Sequence, residues 1–199
     1  MKVAIVGGTG DFGLALAARL VEAGDEVVLG SRDATRAQEK AAEVGAAGGA
    51  NDEIVRDADL VVLATNASAM LETAAALAEA IGTSPVLSVA SDLRSTEPRS
   101  LAERTQDLLA GPVVAGLQSL AAAKLAAGRP DEDAFICGDD ADAKALALDL
   151  AAKVVAGRAL DAGPLTRARV LEGLTGLIVS LNKRYKGHAG IRVTGLPDA

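Results

Sequence analysis

Short, continuous runs of apolar residues recur along the chain, and alanine-rich segments separate most of them. Continuous runs are typical of strands that are buried on both faces of a parallel sheet, whereas alternating runs are typical of strands with one face in water. The runs that predict strands are Val3–Val6, Glu26–Leu29, Leu60–Leu63, Val86–Val89, Val113–Leu117 and Ala134–Cys137. Their alternation with helical segments predicts an α/β protein with an open, mostly parallel sheet.

Helices are predicted mainly between these strands, where apolar residues return about every three to four positions. The predicted helices are Phe12–Ala23, Ala34–Ala46, Ser68–Ile81, Pro98–Leu109, Ala141–Val155 and Leu165–Leu181. Asp33 and Asp140 directly precede two of them, where a carboxylate accepts a hydrogen bond from a free helical N–H. Pro164 suits the start of the last helix, because a missing N–H costs nothing there. The stretch Glu43–Asp52 is predicted to be a loop.

The chain shows no internal repeat, low-complexity tract or long linker. A length of 199 residues suits one hydrophobic core. We therefore expect a single domain over residues 1–199, in which residues 164–199 form a C-terminal helix and tail packed on the rest.

Composition limits the classes of function. The net charge of −7 and the hydrophobic share of 50% describe a soluble acidic globule without a broad basic surface for nucleic acid. No apolar run approaches the ~18–20 residues of a membrane span, and the first residues lack a secretory signal. The only cysteine, Cys137, lies in an apolar run and is expected to be a small core residue. We therefore expect a cytoplasmic protein. Metal binding is not expected, because one histidine and one distant cysteine give no metal-ligand spacing.

A glycine-rich turn is the clearest functional motif. Gly8, Gly10 and Gly13 follow the predicted strand at residues 2–7 and open a helix. In this pattern the first glycine permits a tight turn, the second lets the backbone approach a pyrophosphate, and the third lets helix and strand pack closely. The helix N-terminus supplies free N–H groups and the positive end of the dipole. The motif predicts dinucleotide binding, and the alternative is a merely tight β–α turn.

The end of the second predicted strand indicates NADP rather than NAD. A carboxylate about 20 residues after the glycines normally binds the ribose hydroxyls of NAD, whereas an arginine there accommodates the 2′-phosphate of NADP. This chain instead has Ser31 and Arg32, with Arg36 one helical turn later. A hydroxyl and two cations can converge on one phosphate. The alternative is a pair of solvated arginines on a helix surface.

With these motifs the sequence resembles the NADPH-dependent reductases of the deazaflavin coenzyme F420. The stretches that carry the resemblance are GGTGDFGLALAARLVEAGDEVVLGSRDATRA, CGDDADAKALALDL, LDAGPLTRARVLEGLTGLIVSLN and HAGIRVTGL. The resemblance implies a Rossmann-like, doubly wound domain that binds NADP(H) and stacks the deazaflavin ring against the nicotinamide for hydride transfer. It also implies that the pyrophosphate lies along Thr9, Gly10, Asp11 and Phe12, and the 2′-phosphate at the serine and arginines named above. Pyrroline-5-carboxylate reductases look similar only in the N-terminal half.

Two central loops depart from the family pattern. After the strand at residues 60–63, family members usually have a Pro-Trp pair, whereas this chain has Ala64-Thr65-Asn66-Ala67. After the strand at residues 113–117 they often have a histidine near the deazaflavin, whereas this chain has Gln118. Ligands of α/β sheets bind at the carboxyl ends of the strands. We therefore expect the nicotinamide and the second ligand to contact Thr65, Asn66, Ala90 and Gln118, with ordinary loop chemistry as the alternative.

Hydride transfer between two rings requires orientation and exclusion of water, so no catalytic acid or base is predicted. A basic C-terminal cluster, Lys183, Arg184, Lys186 and Arg192 beside His188, is a candidate for binding the anionic tail of the coenzyme. The alternative is a solvated helix end whose cations interact with the dipole.

The last predicted helix has apolar residues at helical spacing, which predicts a homodimer. These residues are Val170, Leu171, Leu174, Leu177, Ile178 and Leu181, and Gly173 and Gly176 on another face permit close approach of a second helix. Burial against the chain's own sheet is the alternative. For function, the alternatives to deazaflavin reduction are a reductase of another small carbonyl or imine compound and a non-catalytic NADP-binding partner protein.

Overall fold

The computed structural model of the protein describes residues 1–196, and within that range the chain forms one eight-stranded sheet. The strands in chain order are β1 (Lys2–Val6), β2 (Glu26–Ser31), β3 (Ala47–Ala50), β4 (Leu60–Leu63), β5 (Val86–Ser88), β6 (Val113–Gly116), β7 (Ala134–Gly138) and β8 (Ala159–Asp161). Their order across the sheet is β3-β2-β1-β4-β5-β6-β7-β8. The chain reverses direction across the sheet between β1 and β4, which makes the fold doubly wound.

Every strand pair is parallel except β6 with β7, which is antiparallel. The predicted α/β, Rossmann-like, doubly wound and mostly parallel sheet with a C-terminal helical segment is therefore confirmed. Because β7 runs opposite to β6, its first residue lies at the edge where β1 to β6 end. Gly116, the last residue of β6, is paired with Ile136, near the start of β7.

The helices cover both faces of this sheet. They are α1 (Asp11–Glu22), α2 (Ala34–Ala42), α3 (Asn51–Ile54), α4 (Ala67–Ile81), α5 (Leu101–Gln106), α6 (Ala122–Ala127), α7 (Ala141–Val154) and α8 (Ala168–Tyr185), and a short 3-10 turn at Leu165–Arg167 precedes the last. The predicted caps are confirmed, because Asp33 accepts from the Arg36 N–H at 3.2 Å and Asp140 accepts from the Ala143 N–H at 2.8 Å. None of the helices in residues 1–196 combines the length and apolar character that a bilayer crossing requires.

Two apolar layers hold the sheet between the helices. On one face Leu16 and Leu20 of α1 pack with residues of α7, and on the other Met70 of α4 packs with Leu101 of α5 and Leu171 of α8. Each fully buried Leu or Met side chain contributes about 1.5–3 kcal/mol. Cys137 is fully buried in the second layer, and burial raises the pKa of its thiol to about 12, which confirms that it is a core residue.

The predicted loop at Glu43–Asp52 is wrong, because this stretch contains the edge strand β3 and the start of α3. The strand reads AGGA and therefore lacks the apolar run that marks its neighbours. Its composition has a packing reason: a side chain at Gly48 would collide with the backbone of Ala37 in α2. The short strand β8 and the helix α6 were also missed. The last three residues of the predicted C-terminal segment 164–199 lie outside the described residues.

Candidate functional site

The turn between β1 and α1 presents helix N–H groups at the carboxyl edge of the sheet. Gly8 donates its N–H to the carbonyls of Ile5 at 3.1 Å and Gly30 at 3.0 Å, which fixes the turn against both neighbouring strands. Gly10 is the N-cap of α1, and no side chain of residues 1–196 caps this end. The first N–H groups of a helix have no partner within the helix. This end of α1 is therefore open to an anion.

Two glycines of the motif have opposite surroundings: Gly13 is closely packed, and Gly10 has free space beside it. A Cβ at Gly13 would lie 2.6 Å from the Cα of Gly8, so helix and turn approach as closely as a glycine allows. A Cβ at Gly10 would have only the Gly7 carbonyl within 4 Å, at 3.8 Å, which leaves room for a ligand. Asp11 is exposed at the first position of α1, where the dipole favours a carboxylate. Thr9 and Phe12 are partly exposed beside it.

Ser31 ends β2, and Arg32 and Arg36 are exposed next to it. The hydroxyl of Ser31 accepts from the Asp33 N–H at 3.2 Å, and the Asp33 carboxylate caps α2. Neither guanidinium forms an ion pair with any carboxylate of the described part of the chain. Two unpaired arginines beside a hydroxyl suit a phosphate monoester.

Asn51 is a candidate that sequence reasoning missed. It begins α3 directly after β3, and a Cβ at Gly30 in β2 would contact its Oδ1. This Oδ1 is buried and has no hydrogen-bond partner within residues 1–196. A buried acceptor without a protein partner is unusual, so Asn51 is a candidate to accept a hydrogen bond from a ligand. The only sequence signal was its position after a strand, and that strand was not predicted.

Thr65, which follows β4, lies against the turn between β1 and α1. The order of the strands across the sheet reverses between β1 and β4. Gly7 has a φ of +71°, and a Cβ there would lie 2.8 Å from the Cγ2 of Thr65. The hydroxyl of Thr65 contacts the sulfur of Met70 at 3.7 Å. Asn66 is the N-cap of α4, but its side chain makes no capping bond to the described helix. Its amide is therefore available to a ligand at this edge.

Gln118 lies at the end of β6 with its carboxamide turned towards β5. It is 7% exposed, and its Nε2 donates to the Ser88 carbonyl at 3.3 Å. The preceding Leu117 has a φ of +67°, which is a strained conformation for a leucine and is often found at functional sites. Its backbone geometry directs the chain into the loop that carries Gln118.

Unpartnered polar atoms cluster around this loop. The atoms Gln118 Oε1, Ser119 Oγ and Ser88 Oγ are buried without a hydrogen-bond partner in the part of the chain that the structure describes. Ala90 follows β5 at the same edge and is partly exposed. The structure thus brings Gln118 beside Ser88 at the end of β5, and Ala90 follows two residues later. Strand β5 neighbours β4, so Thr65 lies at the same edge of the sheet.

Thr175 of α8 joins this cluster and was not anticipated from the sequence. Its hydroxyl donates to the Gln118 carbonyl at 2.8 Å and lies 2.7 Å from the Ser91 hydroxyl. It therefore connects the loop after β6 with the loop after β5. A threonine among the mostly apolar residues of this helix was the only available signal.

The loop after β5 is also held by ionic groups of α8. Glu172 is 1% exposed, and its Oε1 accepts from the Leu101 N–H at 2.8 Å. Arg169 donates to the carbonyls of Asp92 at 3.4 Å and Ser95 at 3.1 Å. Burial raises the pKa of the Glu172 carboxyl, and the hydrogen bonds and Arg169 only partly offset this effect. These contacts fix the loop along one side of the candidate site.

The predicted basic cluster is divided in the structure. Lys183, Arg184, Lys186 and His188 are exposed at the end of α8 and just beyond it, whereas Arg192 pairs with Asp131 at 2.7 Å. Asp131 lies three residues before β7. The tail therefore returns to the ligand edge, while the helix end extends into solvent.

Comparison with known proteins places this geometry in one family. A family model described as NADP oxidoreductase, coenzyme F420-dependent, matches residues 2–92. The F420-dependent NADP reductase of Methanothermobacter marburgensis is 37% identical to the chain, over 100% of the chain and 100% of its own length. The F420-dependent NADP reductase of Methanocaldococcus jannaschii is 33% identical, over 98% of the chain and 99% of its own length.

Solved structures agree with the sequence relatives. A protein from Arthrobacter sp. FB24, solved as a candidate F420-dependent NADP reductase, superposes with a TM-score of 0.86 and 25% identity over 98% of this chain and 100% of its own. An imine reductase of Streptomyces aurantiacus superposes with a TM-score of 0.69 and 24% identity over 91% of this chain and 61% of its own, which shows a shared fold.

Proposed function

The chain belongs to the family of F420-dependent NADP reductases, and from this premise we propose that it transfers hydride between NADP(H) and the deazaflavin coenzyme F420. The observation that carries the proposal is a line of unpaired groups along one edge of the sheet. It runs from Arg32 after β2, past the open end of α1, to the unpartnered oxygen of Gln118 after β6. Such an edge fits an extended dinucleotide followed by a second planar ligand.

In this assignment the nucleotide half binds NADP in preference to NAD. The 2′-phosphate pairs with Ser31, Arg32 and Arg36, because no carboxylate among residues 1–196 competes for the two guanidinium groups. The pyrophosphate lies at the turn from Gly8 to Gly13 and accepts from the free N–H groups of α1. The acid nearest the end of β2, Asp33, caps α2, so the usual carboxylate partner of the NAD ribose is missing.

The second half of the site orients two rings. NADPH supplies a hydride, the deazaflavin ring accepts it together with a proton from solvent, and NADP⁺ remains. The side chains of Thr65, Asn66 and Gln118, with the backbone at Ala90, hold the ring amides and carbonyls and exclude water. A neutral carboxamide at position 118 donates and accepts hydrogen bonds without adding a charge. No acid or base of the chain is required for the transfer itself.

We further propose that residues 1–199 act as a single NADP-binding domain that works in the cytoplasm as a homodimer. The support for a dimer is the outward side of α8, where Val170 is 58% exposed and Leu177 is 52% exposed. Leu171 and Ile178 of the same helix are buried against the chain's own core, so only part of the predicted face is available. A light-scattering mass of one chain at micromolar concentration would contradict the dimer.

The test of the reaction follows the visible absorbance of oxidised F420 during incubation with NADPH and the purified protein. We expect bleaching that depends on protein and on NADPH, and recovery of the absorbance when NADP⁺ is added to the reduced coenzyme. Calorimetric titration with NADPH runs in parallel. Tight NADPH binding without bleaching would mean that the chain binds the nucleotide and does not perform the reaction.

A further inference from the structure

A cleft of about 550 Å³ lies between α6, the segment before β7 and the C-terminal tail. Its lining includes Lys124 of α6, Arg129 and Glu132 of the segment before β7, and Gly190 and Arg192 of the tail. A Cβ at Gly190 would collide with the side chain of Glu132, so the tail crosses this residue as closely as a glycine allows. The tail is thus part of the wall of the cleft.

The cleft is locally basic in an acidic protein. Three cations line it, namely Lys124, Arg129 and Arg192, against the carboxylates of Asp131 and Glu132. Lys124 pairs with Glu132, and Arg192 pairs with Asp131. The third cation, Arg129, therefore gives the cleft a net positive charge, whereas the whole chain has a net charge of −7.

Arg129 has no carboxylate partner among the described residues. Its guanidinium donates to the carbonyls of Val155 at 3.0 Å and Ala152 at 2.9 Å, at the C-terminal end of α7. These bonds fix the position of the guanidinium and leave its charge uncompensated. A fixed, uncompensated guanidinium in a cleft attracts an anion, and phosphate or carboxylate matches its planar geometry.

Glu132 supplies a second and independent indication of a ligand. It is 4% exposed, and its Oε1 accepts from Lys124 while its Oε2 has no hydrogen-bond partner within residues 1–196. A buried carboxylate oxygen without a donor is costly, because the group loses its water. A ligand that fits this cleft therefore carries an N–H or O–H group as well as negative charge.

The cleft lies close to the position proposed for the deazaflavin ring. The N–H of Leu117, next to Gln118, donates to the carbonyl of Phe135 at 3.3 Å. Glu132 precedes Phe135 by three residues, which corresponds to about 10 Å of extended chain. The edge that holds the two rings therefore continues into the cleft along the first residues of β7.

We propose that this cleft binds the acidic tail of the deazaflavin coenzyme, which joins a phosphodiester to glutamyl groups through amide bonds. Arg129 and Arg192 bind the phosphodiester and the carboxylates, and Glu132 accepts from an amide N–H of the tail. This inference rests on the proposed function, because it takes F420 as the second substrate. Under this proposal the tail of the coenzyme binds in the cleft and not at the exposed cations Lys183 and Lys186 near the end of α8.

The experiment compares F420 with 8-hydroxy-5-deazariboflavin, which has the same ring and ribityl chain but lacks the phosphodiester and the glutamyl groups. Calorimetric titration in the presence of NADP⁺ gives a Kd for each ligand, and bleaching by NADPH gives a rate for each. For the wild type we expect F420 to bind at least about tenfold more tightly than the tailless compound, as for charge-assisted hydrogen bonds.

Two variants remove charge from the cleft. Arg129→Gln keeps an amide donor for the α7 carbonyls, and Arg192→Gln changes an exposed side chain. Each is expected to weaken F420 binding by about tenfold and to leave the Kd of the tailless compound and of NADP⁺ within about twofold. The single variant Lys183→Gln at the end of α8 is the matched control with the same loss of one charge outside the cleft, and we expect no selective loss.

Failure of the inference and failure of the proposed function give different results. If both deazaflavins bleach and bind equally well to the wild type, the reaction stands and the cleft is not a tail site. If the helix-end control loses the tail preference while the cleft variants keep it, the assignment of the cleft is wrong. If neither compound bleaches but F420 binds in a manner that depends on its tail and on the cleft, the cleft assignment stands and the proposed reaction fails.

Discussion

The hydroxyl of Thr175 in α8 donates a hydrogen bond of 2.8 Å to the backbone carbonyl of Gln118 at the end of β6. The same hydroxyl lies 2.7 Å from that of Ser91 in the loop after β5. One side chain from the last helix thus fixes two loops that surround the proposed position of the rings. We therefore expect this hydroxyl to position the loops that contact the second substrate.

Thr175→Val keeps the shape of the side chain and removes both hydrogen bonds. We expect the KM for the deazaflavin to rise by roughly five- to 150-fold, since the two lost bonds are worth about 0.5–1.5 kcal/mol each, whereas the Kd of NADPH stays within about twofold. Steady-state bleaching and NADPH titration measure the two quantities. Thr175→Ser retains the hydroxyl and should restore most of the KM. A rise in KM with the serine variant as large as with valine would contradict the role of the hydroxyl.

The nucleotide preference is tested at the end of β2. Arg32→Ala removes a charge-assisted contact with the 2′-phosphate, which is worth about 1.5–3 kcal/mol. We expect NADP to bind about ten- to a hundredfold more weakly and NAD to be almost unaffected. Arg56→Ala, which removes another exposed arginine, is the control. An equal loss of NAD and NADP affinity in calorimetry would contradict the assignment.

Gln118 stands where family members often have a histidine. We predict that Gln118→His raises the rate of deazaflavin reduction, because an imidazole adds a stronger hydrogen-bond donor beside the ring. The variant should bind NADPH as the wild type does. Stopped-flow bleaching at saturating NADPH measures the rate, and a slower rate in the histidine variant with unchanged deazaflavin affinity would refute the prediction.

The packing of the glycine turn gives a prediction about stability and binding together. Gly13→Ala places a methyl group 2.6 Å from the Cα of Gly8, so the helix must move away from the turn. We expect a loss of about 1–3 kcal/mol in unfolding free energy, as for overpacked cores, and a large loss of NADPH affinity. Urea unfolding and calorimetry measure them. Gly187→Ala has no atom within 4 Å of its new methyl group and should change neither quantity.

Acid stability depends on Asp133 at the start of β7. This carboxylate is fully buried and accepts from Arg158 Nη2 at 2.8 Å and from the Val193 N–H at 2.8 Å. The guanidinium of Arg158 lowers the pKa of Asp133 well below its ordinary value of 3.8. The ionised form therefore stabilises the fold above that value, and this contribution is lost as the pH falls below it towards the lowered pKa.

Asp133→Asn should lower the free energy of unfolding at neutral pH by about 3–5 kcal/mol, because Arg158 loses its buried counter-charge. It should also flatten the dependence of stability on pH below about 4. Urea unfolding between acidic and neutral pH measures both effects. Asp107→Asn removes an exposed partner of Arg99 and is the control with little expected change. A stability curve of the Asp133 variant that runs parallel to the wild type would contradict the linkage.

The sequence was most informative where a local pattern determines the structure. The run Val3–Val6 followed by the three glycines determines a strand, a turn and a helix within a few residues, and Asp33 and Asp140 cap the helices that they precede. Such features depend on neighbours along the chain. They could therefore be predicted without knowledge of the tertiary structure.

Features that depend on distant partners could not be predicted in this way. Thr175 meets Gln118 across 57 positions of the sequence, so its role appears only when α8 is packed on the sheet. Strand β3 reads AGGA and lacks the apolar signal of a strand, and at Gly48 α2 lies too close for any side chain. Asn51 was missed for the same reason, since it follows that strand.

The reversed direction of β7 divides the ligand edge into two parts that can be redesigned separately. The segments that we propose for the dinucleotide follow β1, β2 and β4, whereas the segments that precede β7 and β8 lie at the same edge on the far side of β6. Lengthening or replacing residues 128–132, with Asp133 kept, is expected to change the space for the second substrate and to leave the first three helices and their strands unaltered. Libraries confined to that segment are therefore a direct way to give this scaffold a new hydride acceptor without rebuilding its nucleotide preference.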